Sequence, residues 1–387
     1  MTASALAEFH DELRGVARDL LAPTSPSAAG GEPVVADWRQ LARAGWPGLE
    51  VPEELGGSGA SLAEVAVVIE ELGRAAASTP FLGAFLAVSA LRLVEPSPAR
   101  DELLAGLAAG DVLAAVALPT GDVDDIVSPP SGHGDGDVGD GRTPGGAAGP
   151  VGFRVERTGG SVHLVGRAPF VPDAPDADRI LVVAADPPSG PVLVDVVPGS
   201  GVEVRPTPVV DATRSFAEVV ADGTPVDGAR CRPFAGDPQE LLRRGAVAVA
   251  VDAVGLAAAA LDATVAYVAV RSQFGRPVGS FQAVKHACAD VAVELAVSRG
   301  LVTDAVEQLV AGAPAADAAV AMAKAHAVET AVAATGTAVQ LHGGIGYTWE
   351  HGLHVYLKRA ALDRSLFGSP AAHRARLASR YGAAPPV

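Results

Sequence analysis

The sequence predicts an α+β protein of three domains in the order helical, β, helical. Three observations predict it. Residues 1–114 repeat apolar side chains at helical spacing, residues 115–228 alternate apolar and polar side chains between turn signals, and residues 229–387 form long alanine-rich helical runs. The middle part reads as a small barrel or sandwich and the last as a four-helix bundle. A chain of 387 residues is long enough for domains with cores of their own.

Composition narrows the class. Hydrophobic residues make up 49% and aromatics 4%, so the core must be built mainly from Ala, Val and Leu, which favours closely packed helices. The balance of 45 acids against 29 bases gives a net charge of −16, which repels nucleic acid. Cys231 and Cys288 lie far apart, with no metal-ligand spacing and no disulfide framework, as fits a reducing cytoplasm. The first residues carry acids early and lack the basic n-region of a signal peptide. The Ala/Val run at 246–270 contains Asp252 and Asp262, so it falls short of an uninterrupted membrane span.

The elements follow in order. Leu6, Phe9, Leu13 and Val16 recur at helical spacing, and Trp38, Leu41 and Ala42 start a second helical face. Ser61 and Glu64 form a capping box ahead of the stripe Leu62, Val65, Ile69, Leu72. The glycine-rich 56–59 loop before it reads as a connection. In the middle, Phe153-Arg-Val-Glu and Val162-His-Leu-Val flank Gly159-Gly160 as a hairpin, with short strands at 180–184, 192–197 and 202–204. Residues 127–150 are rich in Gly, Pro and Asp and read as a flexible loop. His133, Asp135 and Asp137 within it read as part of that loop, not as a metal site. Helical spacing resumes over about 238–271, 280–310 and 314–341. A shorter helix follows Tyr347, and Pro370 opens the last.

Two stretches carry candidate chemistry. The first, Arg271-Ser-Gln-Phe-Gly-Arg-Pro277, lies where a long helix gives out. Gly275 and Pro277 break the pattern, and Ser280 is placed to cap the next helix. Guanidinium groups at a helix end suit a phosphate, because Arg forks onto two oxygens; surface arginines on a plain helix–turn–helix are the alternative. The second, Gln340-Leu-His-Gly-Gly-Ile-Gly-Tyr347, places Gly343 and Gly344 where a backbone without Cβ atoms lets N–H groups approach a diphosphate. A tight interhelical turn is the alternative.

Together these stretches resemble the flavin-binding elements of the acyl-CoA dehydrogenase family. Val51-Pro-Glu-Glu-Leu-Gly-Gly57, running into Ile69-Glu-Glu-Leu-Gly-Arg74, resembles that family's N-terminal domain. The three lie in the family's order over nearly the whole chain. The resemblance implies the α–β–α architecture, FAD as cofactor, an acyl-CoA substrate and an electron-transfer flavoprotein as electron acceptor. It implies that Arg271, Phe274 and Gln282 touch the pyrophosphate and adenine of a flavin held across a subunit boundary. Gln340, Gly343 and Gly344 would meet the same end of a flavin.

The resemblance also marks departures. The family's base is a glutamate after the last long helix or, in some members, an acid on the helix before the arginine turn. Phe367 and Gly245 occupy those two positions, and neither can accept a proton. Glu240 and Asp252 share the earlier helix, but their spacing matches neither position; both read as structural or capping, with Glu240 kept as a candidate acid. On the flavin-ring side, Ala117-Leu-Pro-Thr120 and Phe170-Val-Pro172 replace the family's contact segments. Pro172 has neither a hydroxyl nor a backbone N–H. Val355 replaces an expected basic residue and Arg359 an expected acid. The pattern resembles the base-lacking subunits of actinobacterial heteromeric acyl-CoA dehydrogenases. That implies a heterotetramer with a homologous glutamate-bearing subunit, a homo-oligomer being the alternative, and a bulky CoA thioester, such as a steroid fragment. The other expectations are a stand-alone enzyme with a relocated acid, and a flavin-free binding or scaffold protein on the same fold.

Overall fold

The structure, a computed structural model, describes residues 3–24, 32–33, 35–119 and 152–382. The expected 127–150 loop, with His133, Asp135 and Asp137, lies outside the described residues, as does Thr120.

The N-terminal helices are α1 (Ala3–Leu21), α2 (Trp38–Arg43), α3 (Leu62–Arg74), α4 (Phe81–Arg92) and α5 (Pro98–Ala109). Ser61 and Glu64 make the reciprocal capping box at the start of α3, and Leu62, Val65, Ile69 and Leu72 are all buried. On α1 the inward stripe is Leu13, Ala17 and Leu21. Phe9 and Val16 instead stand 42% and 54% exposed, one helical face away from the position the spacing predicted. Polar pairs finish that helix: His10 meets Glu64 at 3.0 Å, and Arg18 forks onto Glu71 at 2.9 Å per bond.

The β-domain is a single sheet in the order β6-β7-β3-β2-β4-β5-β8, with β1 paired to β4. Its strands are β1 (Ala114–Ala117), β2 (Gly152–Thr158), β3 (Ser161–Pro172), β4 (Arg179–Asp186), β5 (Gly190–Val196), β6 (Val202–Pro206), β7 (Phe216–Val226) and β8 (Cys231–Pro233). β2 and β3 form the expected hairpin, with Gly159 and Gly160 both at positive φ. Leu164, Ile180, Val182, Val194 and Val219 fill the core between the sheet faces.

The C-terminal bundle comprises α6 (Gln239–Val270), α7 (Gln282–Val310), α8 (Ala316–His342), α9 (Leu353–Asp363) and α10 (Pro370–Arg380). Alanine lets these helices approach closely. Where α6 crosses α3 the backbones nearly touch: a Cβ on Gly73 would lie 2.3 Å from the Asp252 carbonyl, and one on Gly255 2.1 Å from that of Glu70. By length and composition α6 passes as a membrane span despite its two aspartates, but 78% of its most apolar window is buried within the protein. Ser369 caps α10, accepting from the Ala372 amide, and Pro370 follows at the first helical position.

The three domains meet at a buried charge cluster. Arg359 of α9 forks onto Asp252 of α6 at 3.0 and 2.5 Å and reaches the Ala77 carbonyl at 2.8 Å. Arg214, just before β7, lies 3.2 Å from both Asp252 and Asp363. Burial works against the Asp252 charge, but Arg359 and Arg214 outweigh it and hold this carboxyl at about 2. Burial raises Asp363 well above the usual range, and the neighbouring Asp252 adds to that rise. Arg359, standing where an acid was expected, therefore has its counter-ion supplied by α6.

Candidate functional site

Two turns converge at one end of the bundle. At the first, α6 ends as Arg271 swings to extended backbone while its N–H still donates to the Tyr267 carbonyl at 3.0 Å. A small hairpin follows, β9 (Ser272–Gln273) against β10 (Arg276–Pro277). Its corner is Phe274 and Gly275 at φ 51° and 76°, two successive left-handed residues. Phe274 is held 91% exposed, edge-on to Phe281 at 6.1 Å, and the Arg276 guanidinium lies 4.0 Å from the Phe281 ring. Ser280 does not cap α7 as expected. Its hydroxyl donates back to the Pro277 carbonyl at 2.7 Å, and Phe281 takes the cap position without a side-chain bond, because a short 3₁₀ turn intervenes. Gln282 opens α7 and is exposed.

At the second turn, α8 stops at His342. Gly343 adopts φ 64°, ψ −139°, a conformation open essentially to glycine alone. A Cβ on Gly343 or Gly344 would meet nothing within 4 Å, so both backbones face open space; Gln340 is exposed beside them. The turns are joined by Tyr267, whose ring stacks on His342 at 4.3 Å and 20° and whose hydroxyl donates to the His342 carbonyl at 3.4 Å. The six residues singled out in sequence are all exposed, and the Tyr267–His342 stack ties the two turns that carry them. Arg271, the exposed Phe274 ring and the Gly343–Gly344 backbone are groups of the kinds that fit the diphosphate and adenine of FAD.

The two positions to which the resemblance assigned a base lie against each other. A Cβ built on Gly245 would lie 2.5, 2.6 and 2.9 Å from three atoms of the Phe367 ring. The phenyl group therefore fills the space that a side chain at 245 would need. Phe367 pays a backbone penalty to sit there, at φ 52°. Its carbonyl accepts from Nε2 of His373 at 2.9 Å, and burial lowers the pKa of that imidazole. Beside it runs a groove of about 360 Å³, edged by Arg243, Arg376, Arg380, Asp317 and His373. Glu240 is elsewhere: it stands 3.7 Å from Arg244 and lines a separate groove of about 250 Å³ with Glu50, Ser89 and Arg92.

The interior beyond Gly245 is filled. Phe81 and Phe85 of α4 are buried against α6, and the Arg244 guanidinium lies 5.0 Å from the Phe85 ring. Arg244 also pairs with Glu50 and donates to Ser89 at 2.8 Å. The spaces left around Phe81 and Phe85 measure about 20 and 10 Å³. Each is room for about one water, far below the needs of an acyl chain. On the ring side of the β-domain, Phe170 is 54% exposed at φ 52°, edge-on to Phe216, and Pro172 ends β3.

A helical domain, a β-domain and a helical bundle, in that order, define the class of three-domain α–β–α proteins. Comparison narrows the class. The acyl-CoA dehydrogenase N-terminal domain model matches residues 4–111, and the C-terminal domain model matches residues 237–382. The acyl-CoA dehydrogenase IpdE2 of Mycolicibacterium smegmatis is 34% identical over 88% of this chain and 86% of its own. Two solved structures superpose with a TM-score of 0.81, each over 97% of this chain and 98% of the other. They are a variant of the Tcur3481–Tcur3483 steroid ACAD, at 28% identity, and the ChsE4–ChsE5 complex from Mycobacterium tuberculosis, at 26%. The chain belongs to the acyl-CoA dehydrogenase family.

Proposed function

We propose that this chain is the base-lacking subunit of an FAD-dependent acyl-CoA dehydrogenase, sharing its flavin site with a homologous, glutamate-bearing subunit in a heterotetramer. The observation that carries this reading is the Phe367 ring lying over Gly245, which closes both positions for a proton acceptor at once. The spaces beside Phe81 and Phe85, about 20 and 10 Å³, support it, since neither could take an acyl group. The two complexes among its structural neighbours support a paired assembly.

Bound FAD supplies the two-electron acceptor for α,β-dehydrogenation of the thioester, and an electron-transfer flavoprotein then collects the electrons. This chain's part is to bind and orient. Arg271 neutralises the diphosphate, Phe274 and Gln282 receive the adenine side, and the Gly343–Gly344 backbone offers N–H donors beside Gln340. The partner's carboxylate takes the α-proton. Bulky CoA thioesters are the substrate class, and a reducing cytoplasm is the setting. Co-expression with a glutamate-bearing homologue, followed by flavin quantitation, tests this. One FAD per pair of unlike chains is expected, with Arg271→Ala lowering that occupancy. Full flavin loading and turnover by this chain alone would overturn the partner role.

A further inference from the structure

Three rings pack beneath the two turns. Tyr267 stacks on His342, and His351 stands edge-on to His342 at 4.5 Å and 69°, with 6.3 Å between the Tyr267 and His351 rings. This unit touches both halves of the dinucleotide end. The Tyr267 carbonyl fixes the backbone of Arg271, and its hydroxyl bonds the carbonyl that immediately precedes Gly343.

The imidazoles are incompletely bonded. His342, 4% exposed, donates Nδ1–H to the Ala338 carbonyl at 2.7 Å, which leaves its lone pair on Nε2. That Nε2 and the Nδ1 of His351 are both buried without a hydrogen-bond partner among the described residues. Burial pulls the His342 imidazole below its usual value, against the Ala338 bond, and His351 adds to the pull. Arg271, one helical turn beyond Tyr267, brings a fixed positive charge to the same end of the bundle. Glu350 precedes His351, His354 donates to the Trp349 carbonyl at 3.2 Å, Lys358 lies 4.8 Å from the Trp349 ring, and Glu32 accepts from the Trp349 indole at 2.8 Å. A proton on the His342–His351 pair would lie directly under the Gly343–Gly344 turn.

We infer that Tyr267, His342 and His351 are positioning residues for a diphosphate-bearing nucleotide at this end of the bundle, and that the imidazole pair takes up a proton as the ligand binds. The anion supplies the charge that makes the proton tolerable, and the proton strengthens the anion's hold, so the two events are reciprocally linked. This rests on the flavin reading, but it concerns side chains that reading does not assign.

The test uses the full chain and adenosine diphosphate as probe, with binding followed by calorimetry in buffers of different ionisation enthalpy. Wild-type protein is expected to take up protons on binding and to gain at least about fivefold in affinity between pH 8 and pH 6 beyond the gain of His351→Gln. Tyr267→Phe keeps the stack and loses the hydroxyl, so it should weaken binding equally at both pH values. NMR titration of the wild-type imidazoles reads the same unit without a variant, and the His342 midpoint should move upward when the nucleotide is added. If the nucleotide binds with the same pH slope in wild type and His351→Gln, or the imidazoles ignore it, the inference is overturned and the flavin reading stands. If none binds at millimolar concentration and the co-expressed pair also lacks flavin, both fall.

Discussion

Substituting Gly245 and Phe367 singly and together asks whether the two base positions are one site. A Cβ at 245 would lie 2.5 to 2.9 Å from three atoms of the phenyl ring, where ordinary contact begins near 3.4 Å. In Gly245→Ala the ring must therefore withdraw by several tenths of an ångström, from a backbone already at positive φ. Overpacking of this kind costs about 1–3 kcal/mol. Alanine in mid-helix returns about 1 kcal/mol of propensity, so the single variant should be neutral to about 2 kcal/mol less stable. In the Phe367→Ala background the clash is gone and only the propensity gain remains, so the same change should stabilise by about 1 kcal/mol. The coupling energy is then about 1–3 kcal/mol, read from urea unfolding of the four proteins. If Gly245→Ala stabilised both backgrounds equally, Phe367 would not occupy that space, and the reasoning about a closed base position would fail.

Phe367→Glu restores a carboxylate, but it should give no acyl-CoA oxidation by the isolated chain in a dye-reduction assay, because the spaces around Phe81 and Phe85 stay near 20 Å³ or less. Arg359→Met should cost about 3 kcal/mol or more in thermal or urea unfolding, since it strips Asp252 of its bidentate partner in a buried site, and Asp252→Asn added to it should recover part of that loss. Burial pushes the fully buried Asp173 up to about 6, against the Gly83 amide and Arg214. A pKa raised in the folded state gives stability that is fully present below the unfolded value of 3.8 and is lost as pH rises through about 6. Wild type should accordingly lose about 2 kcal/mol relative to Asp173→Asn between pH 4 and pH 7, and a flat difference across that window would refute the assignment.

Long repeats with clear stops are what the sequence made legible. Alanine and valine runs ended by Gly275, Pro277 and Gly343 gave α6, α7 and α8 to within two residues, and the Gly159–Gly160 pair gave the β2–β3 hairpin. β7 escaped notice because its pattern is broken by Gly223, where the register against β3 shifts by one residue. The α1 stripe was misplaced because Phe9 and Val16 offered the same spacing as the face that packs. In the site, glycine and arginine turns are local and so were readable. Phe367 and Gly245 were each legible as lacking a base, yet 122 positions separate them, and only packing places one against the other. Tyr267, His342 and His351 come from three segments with no motif in common. One signal was present all the same: Tyr267 stands one helical turn before Arg271, on the residue whose carbonyl fixes it.

The outward display of Phe274, Gln340, Gly343 and Gly344 has a thermodynamic corollary. Under the subunit pairing proposed above, a ligand gripped from one side is retained only while a second surface closes over it, so its occupancy becomes a property of the encounter between chains. Dilution alone should then bleach such a preparation, and adding back the companion chain should restore its colour by mass action.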